Sequence, residues 1–340
     1  MLILHKSVSN ISISSSIDKL CSISDKNNVN EKGEKRSYII QKDKEPMETF
    51  CSLIYFAYDE VHEREVVFKQ IKDKNWAKEE LALMKKLEKN NVPNTIKLLD
   101  YYIDEETGDH ILIFPCLKKI NTSHMDLITI QKIMKQLINT LKALNDLNIA
   151  HLDITLSNLM WDEEDNLVLI DFGLSLNCGD KPHPIGCGTP GYVAPELYEG
   201  TCNTGTPDVY SAGIVFGILL QPYIPKCGLE NLGGRYIRTD MITTMHDNLL
   251  ENYIYQNNNY RRSFVSITGV PIIIYKAADL LYKMTRIDPV DRIKPSEILR
   301  HPFMVASEIE FELTKYDEYI ERLHSNLIRN HTKRNYEYYT

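Results

Sequence analysis

The sequence predicts an α+β chain in two parts, a small β-sheet region with one helix and then a larger, mainly helical region. Two observations predict it. Between residues 38 and 117 the chain is cut into short runs rich in β-branched and aromatic residues, with one helical pattern among them. From residue 130 onward, long amphipathic and wholly apolar stretches take over. A chain of 340 residues is long enough to give each part its own core.

Each element has its own justification. Residues 1–36 are rich in Ser, Asn and Lys without apolar periodicity, so a mobile tail is expected there. Order is expected from Tyr38. Residues 51–58 and 65–71 read as two strands joined by a charged turn, a hairpin. Leu81, Met84 and Leu87 stand at helical spacing within residues 76–87. Residues 96–102 and 110–114 read as two more strands. Ile130, Ile133, Met134, Leu137, Ile138, Leu141 and Leu144 then mark one face of a long helix. Residues 208–220 are apolar on nearly all sides, which predicts a helix inside a core. Residues 221–270 are irregular and read as an insertion. Residues 277–284 and 295–299 look helical, and a charged tail over 305–340 carries the stripe Phe311, Tyr316, Ile320, Leu323 and Leu327, which suits a packed helix.

Composition narrows the class. A hydrophobic share of 43% and a charged share of 25% suit a soluble globular protein. The net charge of -8 argues against a surface that coats nucleic acid. Seven Cys with no CxxC pair point to reduced thiols, and no His/Cys set has zinc spacing. No apolar run reaches membrane-spanning length, and Met1 to Leu4 is too short for a signal-peptide core, so an intracellular protein is expected.

The chemistry is concentrated in residues 151–173, HLDITLSNLMWDEEDNLVLIDFG. Asp153 and Asn158 share one loop, a short apolar strand follows at 167–170, and Asp171-Phe172-Gly173 closes the stretch. Phosphoryl transfer needs a carboxylate near the attacking hydroxyl and oxygen ligands that hold magnesium on the phosphates. Asp153 suits the first task; Asn158 and Asp171 suit the second. Each Asp alone would read as a solvated turn residue, and it is the pattern at this spacing that carries the signal.

With the sheet region and the helical region around it, this stretch resembles the eukaryotic protein kinases over about residues 38–304. The resemblance implies the bilobal protein kinase fold, with a small N-lobe and hinge over 37–117 and a C-lobe over 118–304. Val66-Val67-Phe68-Lys69 resembles the strand whose Lys holds the α- and β-phosphates, and Glu80 stands like the helix Glu that pairs with it. Phe114-Pro115-Cys116-Leu117 falls where the hinge meets adenine, with Phe114 as gatekeeper and Leu117 beside the base. Pro46, Met47, Thr49, Ser52 and Ile54 fall in the hairpin that covers the nucleotide. Gly188 to Glu196, GTPGYVAPE, resembles the end of an activation segment of the Ser/Thr type, in which Thr189 packs by the catalytic Asp. Asp208 resembles the brace of the catalytic loop, and Arg292 the partner of Glu196 in a buried ion pair.

Finer details are similar to the cell-division-cycle kinase family that initiates DNA replication with a regulatory subunit. They include Thr49-Phe50-Cys51-Ser52, the hinge, and the short step of eleven positions from Lys69 to Glu80. Calmodulin-type kinases share the GTPGYVAPE form. What the resemblance implies is ATP with Mg2+ as cofactors, a protein Ser/Thr substrate, a regulatory subunit, and a nuclear or cytoplasmic site of action. It implies neither direct nucleic-acid binding nor a membrane.

Three departures bear on activity. Residues 47–52 contain no glycine, although glycines there let backbone N–H groups approach the phosphates. Weaker or slower ATP use is expected. Leu152 replaces the Arg that normally pairs with a phosphate on the activation segment, and residues 176–187 contain no Ser, Thr or Tyr. Thr155 stands where Ser/Thr kinases place a Lys on the γ-phosphate, a loss worth on the order of 10²-fold in rate. These departures keep a rival reading open, a catalytically dead kinase fold used as a binding module. A small-molecule phosphotransferase shares the Asp/Asn spacing but leaves GTPGYVAPE unexplained.

Overall fold

Side-chain alternation builds the first sheet. The computed structural model describes residues 36–49, 52–104, 107–123, 125–178, 188–200, 205–223 and 272–308, with Asn30 and Gly33 besides. Strands β1 (Tyr38–Ile40), β2 (Met47–Glu48), β3 (Ser52–Asp59) and β4 (Arg64–Ile71) precede helix α1 (Lys74–Lys89), and β5 (Asp100–Ile103) and β6 (His110–Pro115) follow it. They form an antiparallel sheet in the order β1-β3-β4-β6-β5, with β2 paired to β3. Residues directly opposite one another in such a ladder share a face. Ile40, Leu53, Tyr55, Ala57, Val66, Phe68, Ile111 and Ile113 fill one face as a core. Burying a side chain such as Phe68 contributes about 2–3 kcal/mol. The opposite face carries one cross-strand row of Met47, Ile54, Lys69 and Leu112 and a second of Phe56, Val67 and Phe114.

Helix α1 begins where the Asp73 carboxylate accepts the N–H groups of Asn75 and Trp76, and Lys86 and Lys89 complement the dipole in its last turn. The expected hairpin and helix are both present. The strand expected over 96–102 is shorter, because residues 94–96 pair elsewhere, although Leu99 N–H still donates to Ile113 O of β6 at 2.8 Å. Ile96 N–H donates to Leu169 O at 3.0 Å and Leu169 N–H to Asn94 O at 2.7 Å. Packed structure also begins at Arg36, inside the stretch expected as tail. Its guanidinium grips the buried Asp100 carboxylate at 2.6 and 2.8 Å and lies over the Tyr102 ring.

The chain divides into two compact units, residues 1–119 with 160–173 and residues 120–159 with 174–340. The first thus also takes in residues 160–173. The reason is β10 (Leu167–Leu169), tied to Asn94 and Ile96 as above; β9 (Leu159–Trp161) joins it to β7 (Lys118–Lys119) in a three-stranded sheet. Residues 151–173 are thus shared between the two units.

The second unit is mainly helical. Helix α2 (Leu127–Asp146) starts on Asp126, whose side chain accepts Thr129 N–H at 2.7 Å, and buries the apolar face read from the sequence. Two short strands, β8 (Ile149–Ala150) and β11 (Leu176–Asn177), pair antiparallel. Helix α3 (Thr206–Leu220) is buried on every side, as its unbroken apolar run requires. Gly213 lets α4 (Ile272–Met284) approach it, since a Cβ there would stand 2.8 Å from Thr285 and 3.0 Å from Met284. Helix α5 (Pro295–Ile298) follows. The expectations for residues 1–29, most of the insertion over 221–270 and the tail helix beyond 308 lie outside the described residues.

Candidate active site

On the first unit, strand alternation places Lys69 on the face opposite the core, where its ammonium meets two carboxylates. Lys69 Nζ donates to Glu80 Oε1 and to Asp171 Oδ1, both at 2.7 Å. The Lys69 and Glu80 side chains are 7% and 5% exposed, whereas that of Asp171 is 39% exposed and so open to a ligand. Burial works against the Lys69 charge, but Glu80 and Asp171 outweigh it and raise its pKa. The amine is a permanent cation aimed at one reachable carboxylate. Asp171 adopts a left-handed φ of 60°, an arrangement that L-residues accept at a cost and that recurs at functional sites. Gly173 N–H approaches the same carboxylate at 3.4 Å, and a Cβ at 173 would crowd Asp171 at 3.2 Å.

The apolar rows beside Lys69 suit a flat aromatic ring such as adenine. Of the residues expected there, Met47, Ile54 and Phe114 lie in these rows, and Leu117 follows β6, half-buried. Phe56, Val67 and Leu112 belong to the same face and were missed. The signal was present in the alternation that puts Val67 two positions before Lys69. Pro46 precedes β2, outside the ladder. Thr49 and Ser52 lie where β2 turns into β3. Thr49 N–H donates to Ser52 O at 2.9 Å, and the two hydroxyls bond each other at 2.7 Å. These bonds close the glycine-free turn.

On the second unit, Asp153 is held from three sides. Its Oδ1 accepts both Thr189 N–H at 2.8 Å and Thr189 Oγ1–H at 2.7 Å. Its Oδ2 accepts Asn158 Nδ2–H at 2.8 Å, and the same amide donates to the Asp153 carbonyl at 2.9 Å. The loop beneath is fixed by Asp208, whose carboxylate accepts His151 N–H at 2.7 Å and Leu152 N–H at 2.8 Å. Burial raises the Asp208 pKa; His151 and the two backbone donors oppose that. With those bonds Leu152 is held at φ 67° and buried, a conformation that costs a leucine roughly 1–2 kcal/mol. Gly188, at φ 110°, passes so near Leu152 that a Cβ would lie 2.2 Å from its carbonyl oxygen, and this approach delivers Thr189 to Asp153. Ser211 of α3 donates to Tyr192 O at 2.7 Å and steadies the same segment.

The ion pair expected between Arg292 and Glu196 is also present. Arg292 meets both Glu196 oxygens and the carbonyls of Thr206, Arg286 and Ile287, with almost no exposure. Among the described residues no three His, Cys, Asp or Glu side chains cluster as metal ligands. On the first unit the partly exposed carboxylate of Asp171 offers hard oxygen, and on the second the amide oxygen of Asn158 does; each is of the type that suits a divalent cation which keeps its waters.

A protein kinase domain model matches residues 43–304. The chain belongs to the protein kinase domain family. The kinase fold expected from the sequence is thus borne out, with its sheet unit and helical unit. Among curated relatives, the domain is similar to the serine/threonine-protein kinase PLK4 of three flies. Identity is 31% over 178 residues with that of Drosophila grimshawi, covering 52% of this chain and 20% of the relative. It is 31% over 175 residues for Drosophila ananassae and 31% over 176 residues for Drosophila melanogaster, each covering 51% of this chain and 20% of the relative. This kinase chain therefore spans about a fifth of the length of those relatives. They agree with the expected serine/threonine type, and none of the three is a replication kinase by name.

Proposed function

We propose that the protein is an ATP-dependent serine/threonine protein kinase that works with Mg2+. The observation that carries the reading is the Asp153 carboxylate, gripped by Thr189 and Asn158 and so oriented before any substrate arrives. Asp153 accepts the proton of a Ser or Thr hydroxyl as its oxygen attacks the γ-phosphorus. Lys69, clamped by Glu80, holds nucleotide phosphates, and the apolar rows from Met47 to Phe114 hold the base. Asp171 and Asn158 are the oxygen donors to the cation. The cation, when bound, neutralises charge on the phosphates. The purified full chain with Mg2+ and ATP is expected to phosphorylate a generic Ser/Thr substrate, and Asp153→Asn to abolish the signal. Equal residual signal from both proteins would sink the kinase reading.

Two observations favour the second reading, a kinase fold used only for binding: the glycine-free turn at Thr49–Ser52 and the uncharged Thr155. Against it stand Lys69, Glu80, Asp153, Asn158 and Asp171, all retained, which a chain released from catalysis need not keep together.

A role in cell division, down to the start of DNA replication, and a nuclear or cytoplasmic location rest on the resemblance of Thr49–Tyr55 and the hinge to the cell-division-cycle kinases. The short step from Lys69 to Glu80 supports a regulatory subunit that braces α1. Co-purification of a second chain, with activity lost on its removal, tests that partner; full activity of the isolated chain excludes it.

A further inference from the structure

Thr155 reads from the sequence as a lost phosphate contact, but its surroundings give it another task. It is 1% exposed. With φ -137° and ψ 163° it caps the short 3-10 turn Leu156–Asn158, and its Oγ1 shares Asn158 N–H with its own carbonyl oxygen, each at 3.2 Å. Ser157 Oγ lies 2.8 Å from the same oxygen, either hydroxyl donating. Asn158 in turn commits its amide nitrogen to the carbonyl and the carboxylate of Asp153. With nitrogen and backbone both tied, the amide oxygen of Asn158 keeps one direction. A Lys side chain at 155 has three donors and no acceptor, so it would leave Asn158 N–H to the carbonyl alone. The residue found here makes a different bond from the one that was lost.

We propose that Thr155, backed by Ser157, is a positioning residue that aims the Asn158 oxygen at a divalent cation carried by the nucleotide. This rests on the reading of Asn158 as a cation ligand. Groups that orient a metal ligand from behind change metal affinity by about 10–100-fold when removed. Thr155→Val keeps the shape and β-branching but deletes the side-chain acceptor, leaving only the carbonyl; Thr155→Ser keeps both.

The test is Mn2+ titrated onto the full chain with a non-hydrolysable ATP analogue, bound metal being read by electron paramagnetic resonance. Thr155→Val is expected to weaken Mn2+ about tenfold, with analogue binding in EDTA and the thermal midpoint close to wild type. Thr155→Ser is expected to stay within about twofold of wild type, because it preserves the bond. Ser157→Ala should fall between them. Val equal to wild type overturns the proposal. So does an equal loss in Val and Ser, or a loss that only follows the fraction unfolded. A wild-type chain that holds the analogue but no Mn2+ overturns instead the reading of Asn158 on which the proposal depends.

Discussion

At the scale of single residues, removing Lys69 costs stability as well as activity. Lys69→Ala leaves Glu80 buried without its ammonium, and breaking a buried pair from one side costs about 3 kcal/mol or more. The double variant Lys69→Ala/Glu80→Ala is expected to recover part of that loss in urea unfolding while remaining inactive. A double variant no more stable than the single would mean that the pair does not carry this energy. Leu152 gives a second prediction. Its side chain is 5% exposed, so Leu152→Arg, which restores the residue common in kinases, buries an unpaired guanidinium. A loss of at least about 2 kcal/mol is expected on thermal unfolding. A variant as stable as wild type would show that the loop has room for the charge.

At the scale of elements, legibility followed periodicity. Helices α1, α2 and α3 and the β3–β4 hairpin were readable because 3.6-residue and 2-residue patterns are written directly in the apolar positions. The early part of 96–102 was misread because its apolar residues serve a pairing with β10 from far along the chain, which no local window contains. The site divided in the same way. Lys69, Glu80, Asp153, Asn158 and Asp171 were legible as a spaced motif, and Lys69, Glu80 and Asn158 are buried while Asp153 and Asp171 keep partial exposure. The bond between the Thr49 and Ser52 hydroxyls was not legible, because a hydroxyl that closes a turn looks like any other in sequence. The Gly188 passage belongs to this scale too. Leu152 is pinned by Asp208, so a methyl at 188 has to displace the segment that carries Thr189. Gly188→Ala is expected to lower kcat on the order of 10²-fold through misplacement of Asp153. Nucleotide affinity should hardly change, since the rows that suit the base lie on the other unit. A proportionate rise in nucleotide Kd would count against this division of labour.

At the scale of the whole molecule, the question is what switches activity. The arginine that would bind an activation-segment phosphate is replaced by Leu152, and residues 176–187 carry no hydroxyl to phosphorylate. Active protein treated with a phosphatase is therefore expected to keep its rate. Loss of activity, with a phosphate mapped to that segment, would overturn the expectation. On the proposal of a regulatory subunit, control would fall to packing or to that second chain acting through α1 and Glu80.

Arg292 has a consequence for how the chain can lengthen. One guanidinium fastens Glu196 and Thr206, on the near side of residues 224–271, to Arg286 and Ile287 on the far side. The two ends of that span are therefore held by α3, α4 and this clamp, whatever length of chain runs between them. Sequence added between Tyr223 and Ile272 therefore meets two ends that Arg292 already holds together, and Arg292→Ala is expected to remove that hold, read as a lower thermal midpoint.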